Sequence, residues 1–311
     1  MTARYMNDVL PTLREWRAAG HPAALATLVF VDGSAPRPRG SQMAIRADGL
    51  AVGNLTGGCA EAAIIAEAQS RLAAGTNRLL RYGKGSPYID IRLPCGSGID
   101  VFFDVTLPLD DVELIVNANA ARCPASLLFD LEQLQSRAVA GEVTLEAPGQ
   151  WARLCEPKPR ILAVGKGPLV PLIAQLGTAA EFEVEVRSSE PETLEMARPY
   201  AAAAYALTTP DAFQCGKLDR YTAFLSLFHE HEWEPAVLAA ALGSEAFYIG
   251  ALGSRRTAES RRDTLRELGI DEAAIARIHG PVGLDIGARS PPEIALAILG
   301  QIVQRRRQPR A

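Results

Sequence analysis

The chain has 311 residues, 48% hydrophobic and 22% charged, with a net charge of −4, a pI near 5.7 and a mean hydropathy of +0.04. This balance lacks the basic footprint of a nucleic-acid or anionic-membrane partner, and no apolar run approaches the ~20 residues of a membrane span. Charges near the N-terminus leave no apolar core for a secretory signal, so a cytoplasmic protein is expected.

The five cysteines, Cys59, Cys95, Cys123, Cys155 and Cys215, are odd in number and widely spaced, with no C-x-x-C pair. Neither a disulfide framework nor a zinc ribbon is expected from them. At this length two domains, or three smaller units, are the prior.

In chain order, a helix is expected over 8–19, opened by Asn7 or Asp8 and closed by Gly20-His21-Pro22. Strand-length apolar runs follow at 23–31, 41–47, 50–55, 77–82 and 99–107. Between the first two, D-G-S-A-P-R-P-R-G reads as a rigid loop presenting Arg37 and Arg39. L-T-G-G-C-A-E at 55–61 opens a helix whose apolar stripe is Ala60, Ile64, Ala68 and Leu72, with Gly75 as its stop. Gly57, Gly58 and Cys59 then stand at a helix N-terminus, where free N–H groups and the positive end of the dipole favour an anion, and thiolate over thiol. Such a turn can hold phosphate, ligate a soft metal or carry sulfur. It can equally be an ordinary glycine turn with Cys59 as a small buried side chain. L-P-C-G-S-G is a second glycine turn, carrying Cys95 and Gly96. A less regular stretch over 110–150 and proline-marked segments near 146–160 suggest a boundary between an N-terminal α/β domain, 1–150, and a C-terminal domain, 158–311.

From Arg160 the pattern becomes βαβ. R-I-L-A-V-G-K-G-P-L-V is a strand turning through Gly165 and Gly167 into a helix with Pro168 near its first position, and V-E-V-R-S is a second strand. Further strands at 203–207, 223–228 and 246–252 predict a Rossmann-like, doubly wound parallel sheet. The glycine fingerprint is incomplete. Val170 stands in place of the third glycine, and Arg187-Ser188-Ser189 where an acidic residue would end the second strand and hold a ribose. The loop therefore suits a 2′-phosphate, as in NADP, or no dinucleotide.

F-H-E-H-E-W-E at 228–234 follows the fourth strand of this half, placing His229, His231 and Glu232 at its carboxyl edge as hydrogen-bonding or proton-relay groups. A metal there would need a further ligand, Asp219 or Glu234. G-A-L-G-S-R-R at 250–256 ends the fifth strand: Gly253 turns, Ser254 caps a helix, and Arg255 with Arg256 suits a phosphate-sized anion. The alternative is a capped helix with two solvated arginines. The last helix opens with a capping box at Ser290-Pro291-Pro292-Glu293, buries Ile294, Ala297, Ile298 and Ile302, and ends on Arg305 to Arg307, which suit its negative end.

Together, G-S-A-P-R-P-R-G, L-T-G-G-C-A-E, C-G-S-G-I-D-V-F, the H-E-H-E segment, F-Y-I-G-A-L-G-S-R-R-T and G-P-V-G-L-D-I-G-A-R-S-P-P-E-I-A resemble the XdhC/CoxI family of xanthine dehydrogenase accessory factors. The similarity covers nearly the whole chain and is weakest between 110 and 155. The chain departs from the family in its serine-rich second Rossmann strand end, where relatives often carry aspartate, and in C-G-S-G for C-G-G. What the resemblance implies is a chaperone rather than a catalyst: a protein that binds the molybdenum cofactor, supports its sulfuration and delivers it to a xanthine dehydrogenase-type apoenzyme. A cysteine desulfurase is a further partner under that reading, and a homo-oligomer is expected. Molybdopterin has a phosphate, a polar pterin and a dithiolene-bound metal. The resemblance accordingly assigns Cys59, and secondly Cys95, to the molybdenum or sulfur end, Arg37, Arg39, Ser254, Arg255 and Arg256 to the phosphate, and Gly165 to Pro168 to the crevice. Two other classes stay open: an NADP-dependent oxidoreductase, which would leave the cysteine turns idle, and a cofactor-free scaffold acting as a homodimer.

Overall fold

The structure, a computed structural model, describes residues 8–34, 37–86, 97–209, 213, 218–228 and 233–308. The chain divides into two compact units, Met1–Pro157 and Lys158–Ala311.

In the first unit, α1 (Leu10–Ala18) precedes the strands β1 (Ala23–Asp32), β2 (Gln42–Arg46) and β3 (Ala51–Gly53), then α2 (Glu61–Ala74), β4 (Arg78–Gly83) and β5 (Gly98–Asp104). The five strands form one antiparallel sheet in the order β3-β2-β1-β5-β4. Both faces of this sheet are buried, which is why β1 reads as a continuous apolar run rather than an alternating one. Leu28, Ile45, Val101 and Phe103 pack with Ile64 and Ala68 of α2, while Leu25, Val29 and Phe102 pack with Leu13 of α1 and a second layer beyond it. The fifth strand ends at Asp104, short of the 107 expected, because the Asp104 carboxylate accepts the amides of Thr106 at 3.0 Å and Leu107 at 2.8 Å and turns the chain.

That second layer corrects the expectation of irregular chain over 110–150. It consists of α3 (Leu109–Ala120) and the strands β6 (Ala125–Asp130), β7 (Gln135–Ala140), β8 (Glu146–Ala147) and β9 (Gln150–Cys155), an antiparallel sheet ordered β7-β6-β9-β8. The turn from β6 to β7 carries neither glycine nor proline. Asp130 Oδ1 instead accepts the amides of Glu132 and Gln133, and Leu134 takes a left-handed φ of 54°.

In the second unit the order is β10 (Arg160–Gly165), α4 (Leu169–Ala179), β11 (Glu183–Ser188), α5 (Pro191–Ala197), β12 (Ala203–Ala206), β13 (Thr222–Leu227), α6 (Glu234–Leu242), β14 (Tyr248–Ala251), α7 (Arg255–Glu267), α8 (Glu272–Ile275), β15 (Ile278–His279) and α9 (Pro291–Arg307). All pairings are parallel in the order β12-β11-β10-β13-β14-β15, the doubly wound Rossmann arrangement, with the strand order reversing between β10 and β13. Alternate residues of β10 feed opposite faces. Ile161 and Ala163 pack with α4, α5 and α9, and Leu162 and Val164 with α6, α7 and α8. The expected capping box holds α9, with Glu293 Oε2 accepting the Ser290 amide at 2.9 Å.

Candidate functional site

The cysteine turn is built around a carboxylate. Helix α2 starts at Glu61 with Ala60 as its cap, two residues later than a helix headed by Cys59 would. Glu61 folds back over the turn and accepts the amides of Thr56 and Gly58 at 2.8 Å, Ala60 at 3.2 Å and Leu55 at 3.3 Å, together with the Thr56 hydroxyl. Asn54 Oδ1 takes the Gly57 amide at 2.9 Å. This concave run of N–H groups needs Gly57 and Gly58 at φ of 75° and 108°, conformations that side chains resist. Burial pushes the Glu61 carboxyl up, but the Thr56 hydroxyl and the amides outweigh it and hold the group below the ordinary glutamate value.

Glu61 thus satisfies the amides of Leu55, Thr56, Gly58 and Ala60 in the turn ahead of the helix, and any anion at Cys59 would lie beside this carboxylate. The alternative of a buried Cys59 is corrected, since the thiol is exposed. Arg39 from the preceding loop lies 4.2 Å over Trp151 and pairs with Glu146 at 2.8 Å, so its guanidinium is already engaged. Arg37 is half-buried.

At the glycine loop of the second unit, Gly165 is required by strand packing, because a Cβ there would lie 2.6 Å from the Leu227 backbone. Pro168 caps α4, and the Gly167 amide donates to Glu190 Oε2 at 3.1 Å and to Thr193 Oγ1 at 2.9 Å. Glu190 is the acid absent from the end of the strand in the sequence pattern, displaced two residues past β11 to the cap of α5. The Thr193 hydroxyl, and after it the Gly167 amide, holds its carboxyl below the ordinary value. Arg187, expected to suit a 2′-phosphate, pairs with Glu185 at 2.8 Å and lies against the Phe213 ring, while Ser188 is buried and its hydroxyl accepts the Glu190 amide. The local rationale for NADP is thereby removed.

At the carboxyl edge of β14, Gly253 leads into Ser254, whose hydroxyl accepts the Thr257 amide at 3.2 Å as the cap of α7. Arg255 and Arg256 are exposed on the first turn. One turn further, Arg261 is buried; its Nη2 donates to Glu234 Oε1 at 2.9 Å and to the Leu252 carbonyl. Glu234, weighed above as a metal ligand, is thus spent on an ion pair, and Asp219 Oδ1 takes the Tyr221 amide and Thr222 hydroxyl. Among the described residues no three His, Cys, Asp or Glu side chains cluster as a metal site. Cys95, Gly96, His229, His231 and Glu232 lie outside the described residues. Sequence reasoning missed Glu61, Glu190 and the role of Arg261. Only Glu61 had a local signal, an acid in the first turn of its helix.

These features define a two-unit α/β protein in which a Rossmann fold follows a unit carrying a glycine–cysteine turn. Residues 161–302 match the XdhC Rossmann domain, and residues 16–83 match the XdhC and CoxI family. The chain is 32% identical over 289 residues to the molybdenum cofactor insertion chaperone PaoD of Escherichia coli K12, covering 91% of this chain and 83% of that one. It is 24% identical over 327 residues to a Bacillus subtilis 168 protein named as a probable xanthine dehydrogenase subunit, covering 92% and 94%. A solved structure described as a xanthine dehydrogenase from Bacillus halodurans shares the fold, with a TM-score of 0.80 and 22% identity over 96% of this chain and 95% of that one. The chain belongs to the XdhC and CoxI family.

Proposed function

We propose that this protein is an accessory factor, not an enzyme, which carries the molybdenum cofactor and inserts it into a xanthine dehydrogenase-type apoenzyme. The observation that carries this reading is the 32% identity across 91% of the chain to a protein named for that insertion. The likeness to a protein named for xanthine dehydrogenase supports the class of partner. The two domains are taken as expected from the sequence, with the first, 1–150, extended through β9 to residue 157, and the second 158–311. In the first, the exposed Cys59 is the group proposed to meet molybdenum or its sulfur, with Cys95 second. In the second, Ser254, Arg255 and Arg256 are proposed for the phosphate, where an α7 N-terminus and two guanidinium groups suit an anion. Support of sulfuration, a desulfurase partner, a homodimer and a cytoplasmic location belong to the same reading. Among the described residues no helix is long and apolar enough to cross a membrane.

The test is transfer. Protein purified from cells that make molybdopterin should carry molybdenum and pterin in equal amounts, and should restore hydroxylase activity to an apoenzyme of the xanthine dehydrogenase class. A preparation that carries neither and restores nothing would overturn the proposal.

A further inference from the structure

Helix α9 has two unlike faces. Ala295, Ile298, Leu299 and Ile302 are buried with α4 and α5 in the core of the Rossmann sheet. The outward face carries Glu293, Leu296, Gly300, Val303 and Arg307, a 3-4-3-4 spacing that belongs to a helix–helix seam. Leu296 is 60% exposed and Val303 44%. The chain ahead of α9 adds to this face. The Gly283 amide donates to Gln301 Oε1 at 3.0 Å, Gln301 Nε2 to the Gly283 carbonyl at 3.2 Å, and the Leu284 amide to the Ala297 carbonyl at 3.1 Å. So pinned, Leu284 lies against Gly300, 3.1 Å from where a Cβ would stand, and Ile286, two residues on, is 57% exposed. Isolated exposed apolar side chains are ordinary, but three held on and beside one seam mark a contact surface.

The seam is charged at its two ends, with opposite signs. Glu293 and Arg307 are both exposed and stand about 21 Å apart along the axis, at 1.5 Å per residue. Asp285 and Arg289 of the adjoining loop are of opposite sign, so Glu293 sets the sign of the first end, while Arg305 to Arg307 make the last end positive. A face of this order is complementary to itself. Turned antiparallel, a second α9 sets its basic end against Glu293 and its Val303 position against Leu296. Turned parallel, it would oppose like charges and like dipole ends.

We propose that this face of α9 pairs with the same face of a second copy of the chain, antiparallel about a two-fold axis near Gly300. The inference rests on the homodimer of the reading above, to which it gives a surface and a symmetry, and not on the cofactor. Helix α9 covers one face of the sheet and α7 the other, so the pairing leaves the turn from Ser254 to Arg256 open. Four apolar side chains from each copy are far fewer than the ~20–30 residues a side of a stable interface, so the dimer should dissociate at micromolar concentration.

The experiment is sedimentation velocity of the full chain between about 1 and 100 µM, a span that brackets a micromolar dissociation constant. Wild type should pass from monomer to dimer over this range. Leu296→Asp and Arg307→Glu should each weaken the dimer by about tenfold or more. Melting temperatures at the dilute end should hardly change, because both positions are exposed. Leu296→Asp combined with Val303→Lys should recover dimerisation, since antiparallel helices set each new carboxylate against the partner's new ammonium. A wild type that is monomeric at every concentration would overturn the proposal, as would a double variant that does not recover. A dimer indifferent to Leu296→Asp and Arg307→Glu would refute this face while leaving a homodimer by another surface standing. A wild type that dimerises as described but neither carries nor transfers the cofactor would do the reverse, sparing this face and overturning the carrier reading.

Discussion

Glu61 accepts the Gly58 amide at 2.8 Å, and in doing so anchors the glycine turn ahead of α2, beside the exposed Cys59 thiol. The turn is thus held in shape by an internal anion. Removing that carboxylate should loosen the turn.

Glu61→Ala should destabilise the protein by about 2 kcal/mol, the scale of hydrogen bonds to a charged group, as measured by urea unfolding. The folded carboxyl titrates below its ordinary value. The stability it contributes is therefore fully present above the unfolded value of about 4.3, and is lost as pH falls through the lower folded value. Glu61→Gln should flatten this acid slope, and an unchanged slope would mean that the carboxylate does not hold the turn.

Alkylation by iodoacetamide of the native protein should reach Cys59 and Cys123, both exposed, and spare Cys155. Burial pushes the Cys155 thiol up, which withholds its reactive thiolate. Mass spectrometry of the labelled peptides checks the order. Cys59→Ser should then weaken molybdenum retention, and full retention would leave Cys59 a structural part of the turn.

Two arginine substitutions on α7 should behave oppositely. Arg255→Ala or Arg256→Ala should weaken cofactor binding by roughly 1.5–3 kcal/mol, with a change in fold stability within about 0.5 kcal/mol, because both are exposed. Arg261→Ala should cost about 3–5 kcal/mol of stability by leaving the Glu234 carboxylate buried and unpaired. Melting temperatures read beside cofactor titrations separate the two outcomes.

NADP should show no micromolar affinity in calorimetry. The Gly167 amide is taken by Glu190, and Arg187 is paired with Glu185. Tight binding that is lost in Arg187→Ala would mean that this pair opens readily, and would return the oxidoreductase reading to favour.

Much of the architecture was legible in the sequence because it depends on local periodicity. The βαβ alternation after Arg160, the Ser254 and Ser290 caps and the all-apolar β1 follow from side-chain spacing and capping chemistry within a few residues. The motifs likewise carried the family. What they did not reveal were contacts between residues far apart in the chain, or turns made by side chains rather than glycine. The β6–β7 turn is closed by Asp130 and a left-handed Leu134, so the usual breakers were absent. Glu190 reaches Gly167 across 23 residues and Arg261 reaches Glu234 across 27, both through helices whose packing on the sheet sets the distance. Sequence alone determined most of the elements, where backbone N–H groups come free, and that Glu61 stands three residues from Gly58; only the tertiary structure decided that the Gly167 amide is filled by Glu190 from 23 residues away. The physical reason is that an anion is attracted to such amides from any direction, and its distance in space is set by packing, not by sequence separation.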